Sequence, residues 1–227
     1  MRVVDLGTLA YRDAWARQEQ AHTEVLAGAD EQLLLVEHPP VITFGRRAEI
    51  AGQKNLITPR EMLSMLGVEI VQSDRGGDVT FHGPGQIVAY PIVRLNDHGL
   101  SVGGFVRRLE EIVIATLKSF SIPAQKDDCA IGVWTPNKQG QLAKICALGV
   151  RIRRGVSLHG IALNVATDLS YFKLIIPCGL SGRAVTSLKE LLGDQVPAID
   201  VVKQQLADQF IAAFSSRGGK SVSSAPR

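Results

Sequence analysis

Three strand-like segments joined by short turns, within residues 130–165, are the feature that most constrains how this chain can fold. They read AIGVWT, AKICALGVRIR and SLHGIALNV, and each is rich in apolar and β-branched residues. Short turns join antiparallel neighbours, whereas parallel strands need a long crossover. We therefore predict an antiparallel group of three strands in the second half of the chain.

Strands and helices are mixed in the rest of the chain. A helix-compatible segment from Tyr11 to Leu26 precedes the continuous apolar run QLLLVEH, which has the length of a strand buried on both faces. Ser101 is the predicted N-cap of a longer helix whose apolar residues recur at helical spacing up to Phe120. This order, without strict βαβ alternation, predicts a single α/β (α+β) domain in which one mixed sheet is covered by helices.

Capping residues mark three further helix starts. Thr58 and Glu61 have the spacing of a capping box, and so do Ser187 and Glu190. Asp200 precedes the apolar periodicity of a closing helix and is its predicted N-cap.

Composition argues against several classes of protein. The chain has 227 residues, 45% of them hydrophobic, and no apolar run long enough to cross a membrane. The N-terminal residues lack the apolar segment of a signal peptide, so a cytoplasmic location is expected. Three cysteines without C-x-x-C spacing argue against a disulfide framework and a zinc site, and no metal is predicted.

The C-terminal residues 215–227 lack the apolar side chains that a core needs, and we predict a disordered tail there. Arg217, Lys220 and Arg227 account for the formal net charge of +3, so residues 1–214 are neutral overall. A neutral domain gives no support to nucleic-acid binding.

The segment DRGGDVTFHGPGQ, residues 74–86, surrounds a four-residue strand with four glycines. Glycine permits backbone angles and close approaches that other residues cannot adopt. A tight hairpin with a bulge would explain the glycines. It would not explain Arg75 before the strand or His82 at its end. A cation and an imidazole placed there favour a pocket wall, with main chain close to a ligand that carries a carbonyl or an anionic group.

A second candidate group lies on the strands of residues 143–165. Strand alternation places Lys144 and Cys146 on one face. The default interpretation of Lys144 is an exposed strand residue, and the alternative is a desolvated amine with a lowered pKa, suited to act as a base. His159 and Asn164 lie on the next strand, and a satisfied core histidine explains His159 as well as a site residue does.

Cys178 is the strongest candidate nucleophile among the three cysteines. It lies between Pro177 and Gly179, which places it on a sharp turn after an apolar run. Such a turn exposes the sulfur and leaves backbone N–H groups available to stabilise an oxyanion. Cys129 follows two aspartates, which would raise its pKa, and Cys146 is embedded in a strand.

Four motifs together resemble those of the lipoyl(octanoyl) transferases, the octanoyl-carrier-protein:protein octanoyltransferases of lipoate biosynthesis. They are LLLVEHPPVITFGRRA, RGGDVTFHGPGQIVAYPI, KICALGVRIRRGVSLHGIALNV and IIPCGLSGRAVTSL, in this order and with family-like spacing. The resemblance implies a fold shared with lipoate ligases and with the catalytic domain of biotin protein ligases. It also implies that residues 1–214 form an octanoyltransferase catalytic domain.

The resemblance further implies the roles of the site residues. Cys178 would carry the acyl group as a thioester, Lys144 would activate it, and His82 is the rival base. Acyl transfer from a thioester to an amine is downhill, so neither ATP nor another cofactor is expected. The implied acyl-binding residues are Arg75, Gly76, Gly77, Asp78, Val79, Thr80, Phe81, His82, Ala147, Leu148, Gly149, His159, Gly160, Ile161 and Ala162.

The implied donor is octanoyl-acyl carrier protein, and the implied acceptors are the lipoyl domains of 2-oxoacid dehydrogenases and the glycine cleavage H protein. These carriers are acidic as families, so arginines are predicted to form a docking rim. The candidates are Arg46, Arg47, Arg151, Arg153 and Arg154. Two alternatives are compatible with the sequence: an ATP-dependent lipoate ligase and a non-catalytic acyl- or carrier-binding module. The predicted nucleophilic cysteine argues against the ligase, which needs none.

Overall fold

The computed structural model describes residues 1–50, 55–176 and 183–215, except the side chains of residues 49 and 50. Cys178 and the predicted tail beyond residue 215 lie outside the described residues. The strands are β1 Arg2–Thr8, β2 Gln32–Glu37, β3 Val41–Phe44, β4 Glu69–Gln72, β5 Val79–His82, β6 Gln86–Ile92, β7 Val133–Pro136, β8 Leu142–Arg153 and β9 Val156–Asn164. The helices are α1 Tyr11–Leu26, α2 Arg46–Ile50, α3 Arg60–Met65, α4 Val102–Ser119, α5 Leu188–Leu192 and α6 Ile199–Phe214.

The strands of the described chain form two sheets, where the sequence predicts one. The larger sheet has the order β1-β2-β6-β9-β8-β7, and its neighbours are antiparallel except for β1 and β2. The predicted antiparallel group β7, β8 and β9 is confirmed, and so is the mixed α/β class.

The smaller sheet has the order β4-β3-β5. Its central strand β3 has only four residues and directly follows Pro39 and Pro40. So short an apolar run after two prolines does not identify a strand by periodicity, and β3 is not among the strands that the sequence predicts.

Helices cover both faces of the larger sheet. Leu33 and Leu35 of β2 pack in the core that contains residues of α4 and α6, whereas Leu34 and Val36 pack on the opposite face in the core that contains residues of α1. All four side chains are buried, which confirms the prediction of a strand buried on both faces. Burial of each side chain of this size stabilises the fold by about 1.5–3 kcal/mol.

Two of the predicted helix caps are confirmed. Ser101 Oγ accepts a hydrogen bond from the N–H of Gly104 at 3.1 Å, at the start of α4. Ser187 Oγ accepts from the N–H of Glu190 at 3.1 Å, at the start of α5. Each bond satisfies a backbone donor that the first helical turn leaves unpaired.

The other two predicted caps are wrong by one or two positions. Helix α3 begins at Arg60 with Pro59 in the cap position and no side-chain cap, because the extended backbone of Pro59 ends the preceding segment. Helix α6 begins at Ile199, so Asp200 lies in its first turn. A carboxylate in the first turn still interacts favourably with the helix dipole.

No helix among the described residues has the length and hydropathy needed to cross a membrane. In the same ranges, no group of three or more His, Cys, Asp or Glu side chains is placed to hold a metal ion.

Candidate active site

A cavity of about 410 Å³ lies between the glycine-rich segment and strands β8 and β9. Arg47, Cys129 and Ile131 lie at its exposed mouth, and Ile131 is 55% exposed. Tyr11 and Tyr90 line the buried part. The lining therefore includes exposed side chains at the mouth and buried aromatic side chains farther in.

Thirteen of the fifteen predicted acyl-binding residues line this cavity, and Lys144 lines it as well. Phe81 and Asp78 do not belong to its lining. Phe81 points into the core of the smaller sheet and stacks on Tyr171 at 4.7 Å, because strand alternation turns it away from Thr80 and His82. The Asp78 carboxylate accepts a hydrogen bond from Asn55 Nδ2 at 2.6 Å. The thirteen lining residues are Arg75, Gly76, Gly77, Val79, Thr80, His82, Ala147, Leu148, Gly149, His159, Gly160, Ile161 and Ala162.

The glycines of the segment allow one main chain to lie against another. Gly76 N–H donates to Val150 O at 3.0 Å, and a Cβ on Gly76 would lie 2.9 Å from that oxygen. A Cβ on Gly149 would lie 2.7 Å from Gly76 O. Contact between the glycine-rich segment and β8 requires glycine at both positions. The close approach to a ligand that the sequence suggested is therefore not needed to explain Gly76 and Gly149.

Arg75 is buried beside the cavity and binds main-chain carbonyl groups. Its Nη2 donates to Thr43 O at 2.6 Å and to Asp78 O at 2.7 Å, and its Nε donates to Thr43 Oγ1 at 3.2 Å. These bonds connect β3 to the glycine-rich segment. The guanidinium charge also disfavours protonation of the nearby histidines His82 and His159.

His82 is held as a neutral imidazole. Its Nδ1 donates to Gln86 Oε1 at 2.7 Å, so the other nitrogen, Nε2, carries the lone pair and lies 3.4 Å from Thr43 Oγ1. Burial keeps the pKa of His82 well below its ordinary value, and the neighbouring His38 and Arg75 lower it further. A histidine with so low a pKa is a weak base at neutral pH.

Lys144 lies on β8 with its amine close to the cavity mouth. Its Nζ donates to Ile131 O at 3.0 Å and lies 4.8 Å from the ring centroid of Trp134. The main chain of Lys144 accepts from Thr186 N and donates to Ala184 O, both at 2.9 Å. The lysine therefore has partners that its apolar sequence context does not reveal, and they fix both its backbone and its amine.

A buried amide network connects His82 to the strand segment beside Lys144. Gln86 Nε2 donates to Asn164 Oδ1 at 2.9 Å, and Asn164 Nδ2 donates to Thr186 O at 3.0 Å. Thr186 in turn binds the main chain of Lys144. These buried polar groups are paired, so the network fixes the relative positions of the two candidate bases.

His159 has a left-handed backbone, with φ of +58°, which is unusual for a residue other than glycine. Its N–H donates to Gln18 Oε1 at 2.8 Å, and its Nε2 donates to Asp74 Oδ1 at 2.6 Å. Burial is the main cause that lowers the pKa of His159 to about 3, and Arg75 and Arg151 add to it. His159 therefore lines the cavity as a neutral ring whose Nε2–H is bound by Asp74, while its buried Nδ1 has no hydrogen-bond partner among the described residues.

The described cysteines differ sharply in their surroundings. Cys146 is buried, and burial raises the pKa of its thiol far above the ordinary value, so it is a poor nucleophile. Cys129 is exposed at the cavity mouth, and its backbone N–H donates to Asp127 Oδ1 at 3.0 Å.

Two arginines of the predicted docking rim are already paired within the protein. Arg151 forms an ion pair with Asp74, and Arg153 binds both carboxylate oxygens of Glu19. These pairs reduce the positive charge that Arg151 and Arg153 can offer to an acidic carrier. Arg46 and Arg47 on α2 are exposed, and so is Arg154.

Sequence reasoning missed three residues that surround Lys144. Glu110 of α4 accepts the N–H of Gly132 at 3.2 Å, beside the carbonyl that Lys144 binds. Trp134 lies under the lysine, and Arg183 lies 3.8 Å from the centroid of the same ring. Arg183 stands in the motif that contains Cys178, but no local pattern distinguishes Glu110 from a surface helix residue.

Comparison with known proteins identifies the family. The family described as "Lipoyl protein ligase A/B catalytic domain" matches residues 10–211. The octanoyltransferase of Chloroflexus aggregans is 46% identical over 216 residues, which cover 94% of this chain and 93% of that protein. The chain belongs to the octanoyltransferase family. It is thus an acyltransferase, as the sequence predicted.

Solved structures share the fold of this acyltransferase. The crystal structure of lipoate-protein ligase A bound with ATP matches with a TM-score of 0.76 at 17% identity, over 94% of this chain and 85% of that one. The biotin protein ligase of Aquifex aeolicus matches with a TM-score of 0.52 at 12% identity, over 95% of this chain and 69% of that one. The predicted fold relationship to lipoate and biotin ligases is confirmed.

Proposed function

We propose that this acyltransferase moves an octanoyl or lipoyl group from acyl carrier protein to a specific lysine of a lipoyl domain, through a thioester on Cys178. The observation that carries this proposal is the cavity, which is lined mainly by apolar side chains and backbone and has the amine of Lys144 on its wall. An acyl chain needs such an apolar slot, and its reacting carbonyl needs a base beside it.

In the first half-reaction, the neutral amine of Lys144 takes the proton of the Cys178 thiol. The thiolate attacks the thioester carbonyl of the octanoyl carrier, and the bond between that carbonyl and the carrier's sulfur breaks. Lys144 returns its proton to the leaving thiolate. The products are an octanoyl thioester on Cys178 and a carrier with a free thiol.

In the second half-reaction, the neutral amine of the acceptor lysine attacks the thioester on Cys178. Lys144 takes a proton from the attacking nitrogen, an amide bond forms, and the bond to the Cys178 sulfur breaks. The proton then passes from Lys144 to the cysteine thiolate. One base thus serves both half-reactions and ends each turnover in its starting state.

The surroundings of the two candidate bases support Lys144 over His82. Burial and positive neighbours keep the pKa of His82 far below its ordinary value, so its Nε2 attracts a proton weakly. His82 suits a neutral wall of the acyl slot. Lys144 has a rigid backbone and an amine directed to a carbonyl beside the cavity mouth.

The proposal places the reaction first in endogenous protein lipoylation. The acceptors are the lipoyl domains of 2-oxoacid dehydrogenases and the glycine cleavage H protein, and the catalytic domain spans residues 1–214. A cytoplasmic location belongs to the same proposal, and fractionation of cells would check it. A chain that ends at residue 214 is expected to keep its activity, since the family match ends at residue 211.

Intact mass after mixing with octanoyl carrier protein tests the covalent step. We expect the wild-type protein to gain one octanoyl group that hydroxylamine removes, and Cys178→Ser to gain none. Cys129→Ser and Cys146→Ser are matched controls that should retain the adduct. An octanoyl group that maps to Cys129 or Cys146 would reject the assignment.

The ATP-dependent lipoate ligase and the binding module predict different products. A ligase would turn over free octanoate with ATP in the absence of carrier protein, whereas the proposed transferase would not. A binding module would form no acyl-enzyme, and its Cys178→Ser variant would support protein lipoylation in cells. Identity of 46% to an octanoyltransferase, against 17% to a lipoate ligase, favours the transferase.

A further inference from the structure

Two cations share the ring of Trp134. Lys144 Nζ lies 4.8 Å from the ring centroid, and the Arg183 guanidinium carbon lies 3.8 Å from it. Both distances end at the same centroid, so the two charges are within about 9 Å of each other, which is close to the screening length at physiological salt. Trp134 is buried, so part of the space between the charges is low-dielectric protein.

Asp127 fixes Arg183 in this position. Arg183 Nη1 and Nη2 donate to the two oxygens of Asp127 at 2.9 Å and 2.5 Å, in the bidentate geometry that favours arginine over lysine. The paired guanidinium keeps the pKa of Asp127 at about 2. The pair therefore stays ionised throughout the pH range in which an acyltransferase works.

Positive charge beside an amine favours loss of its proton. A lysine next to another cation is more often neutral, and hence a better base, than an isolated lysine. Trp134 and the carbonyl of Ile131 favour the ammonium form of Lys144, so Arg183 acts against them. Cys146 interacts electrostatically with Lys144, and Glu110 binds the peptide group that Lys144 also binds. Asp127 and Cys129 interact with Arg183, and Glu190 binds Thr186, which is bonded to the main chain of Lys144.

We propose that Arg183 is a positioning residue that favours the neutral amine of Lys144, and that Asp127 sets the strength of this effect by balancing part of the arginine charge. The inference rests on the proposed function only in taking Lys144 as the base. It assigns to Arg183 an electrostatic role in both half-reactions, through Lys144 and without contact to the substrate.

The titration midpoint of Lys144 tests the inference directly. Competitive labelling with acetic anhydride over a pH series, read at Lys144 by peptide mass spectrometry, gives this midpoint. The measurement uses a Cys178→Ser background, so its readout does not depend on catalysis. We expect Arg183→Gln to raise the midpoint by about half to one pH unit, because it removes a charge at this distance.

Two matched variants separate charge from structure. Arg183→Lys keeps the charge and is expected to shift the midpoint by less than half as much. Arg153→Gln removes an arginine that is also paired bidentately, with Glu19, and is expected to leave the midpoint unchanged. In the enzyme with Cys178 intact, the acid limb of the pH dependence of kcat/KM should move with the midpoint.

Three outcomes would contradict either the inference about Arg183 or the proposed function, and they can be told apart. An unchanged midpoint in Arg183→Gln rejects the inference, whatever the enzyme transfers. An equal shift in Arg183→Lys also rejects it, because local structure and not charge would then be the cause. A midpoint that moves while the pH–rate profile does not would confirm the electrostatic effect of Arg183 on Lys144, but would reject Lys144 as the base and with it a role of Arg183 in the two half-reactions.

Discussion

Glu110 and Lys144 bind opposite ends of one peptide group. Glu110 Oε1 accepts the N–H of Gly132 at 3.2 Å, and the carbonyl of Ile131, across the same peptide bond, accepts from Lys144 Nζ at 3.0 Å. The two bonds polarise the peptide in the same direction, which strengthens both. A carboxylate on α4 thus helps to hold the carbonyl acceptor of the lysine in place.

Gly132→Ala should displace Lys144 and slow acylation by roughly 10- to 100-fold, as small misplacements of catalytic groups do. Gly132 has φ of +144°, and a Cβ there would lie 2.9 Å from both Lys144 Cε and Cys146 O. The carbonyl belongs to strand β8 and cannot move freely, so the lysine side chain has to give way. Single-turnover acylation, followed by intact mass, measures the effect.

Gly140→Ala is the matched control for this change. Gly140 also has a positive φ, of +76°, but no atom lies within 4 Å of its added Cβ. The control should lose about 1–2 kcal/mol of stability from backbone strain and acylate at the wild-type rate. Acylation of Gly132→Ala at the rate of Gly140→Ala would show that Lys144 has room to adjust.

Lys144→Met should slow both half-reactions by about 10²- to 10⁴-fold, the usual contribution of a positioned base. Methionine keeps an apolar stem against Trp134, so the fold should survive, although the carbonyl of Ile131 loses a donor. Acylation is measured with octanoyl carrier protein, and transfer is measured from preformed acyl-enzyme to a lipoyl domain. If acylation continues at the original rate, His82 becomes the better candidate base.

The fold could be predicted furthest where the pattern is long or continuous. The run that became β2 and the three-strand group of β7, β8 and β9 were predicted correctly, because apolar periodicity reports burial directly. The glycine-rich segment could likewise be predicted to form a cavity wall, because a turn requires neither an arginine before the strand nor a histidine at its end. Division into two sheets could not, because it depends on β3, whose four residues carry no periodicity.

The surroundings of Lys144 could not be predicted from sequence. Glu110 is 34 positions away in the sequence, and Trp134 is 10 positions away on a neighbouring strand. Glu110 reaches the carbonyl acceptor of the lysine only after α4 packs on the larger sheet, and Trp134 reaches the lysine only after β7 pairs with β8. The weak basicity of His82 has the same origin, because its low pKa comes first from burial, which a local sequence does not specify.

Acid should destabilise the protein through its buried neutral histidines. His38 donates from Nδ1 to Leu9 O at 2.7 Å and accepts at Nε2 from the Tyr90 hydroxyl at 2.8 Å, and burial lowers its pKa to about 4. A histidine in the unfolded chain has a pKa of about 6.5, so below that pH the unfolded chain takes up protons that the folded chain does not. The free energy of unfolding therefore decreases as the pH is lowered, until the pKa of the folded state is reached. His159, whose pKa is about 3, acts in the same direction.

Urea unfolding at about pH 7.5 and about pH 5 measures this loss, which we expect to be about 2 kcal/mol for each such histidine. His38→Gln retains a donor for Leu9 O and an acceptor for Tyr90 but cannot titrate. Its stability should therefore fall less between the two pH values than that of the wild type. Equal losses in both proteins would mean that His38 is already protonated in the fold or is accessible to water.

Docking of acidic carriers should depend on α2 more than on the paired arginines of β8. Reversal of Arg151 or Arg153 would place a glutamate beside Asp74 or Glu19, so any loss of function would mix docking with damage to the fold. Arg46 is exposed next to Arg47, which lines the cavity mouth, and Arg46 itself does not line the cavity. Arg46→Glu is therefore the cleaner test of the docking rim.

Arg46→Glu should weaken the apparent affinity for octanoyl carrier protein about 3- to 10-fold at low salt, because a rim charge acts mainly on encounter rate. The difference should shrink as salt rises from about 0.05 to about 0.5 M, since exposed charges are screened. Turnover of a small octanoyl thioester should stay unchanged. Arg2→Glu, on the edge strand β1 of the larger sheet, makes the same charge change at an exposed residue that does not line the cavity, and should leave carrier affinity intact. Equal weakening by Arg2→Glu would show that net charge, and not a rim at the cavity mouth, attracts the carrier.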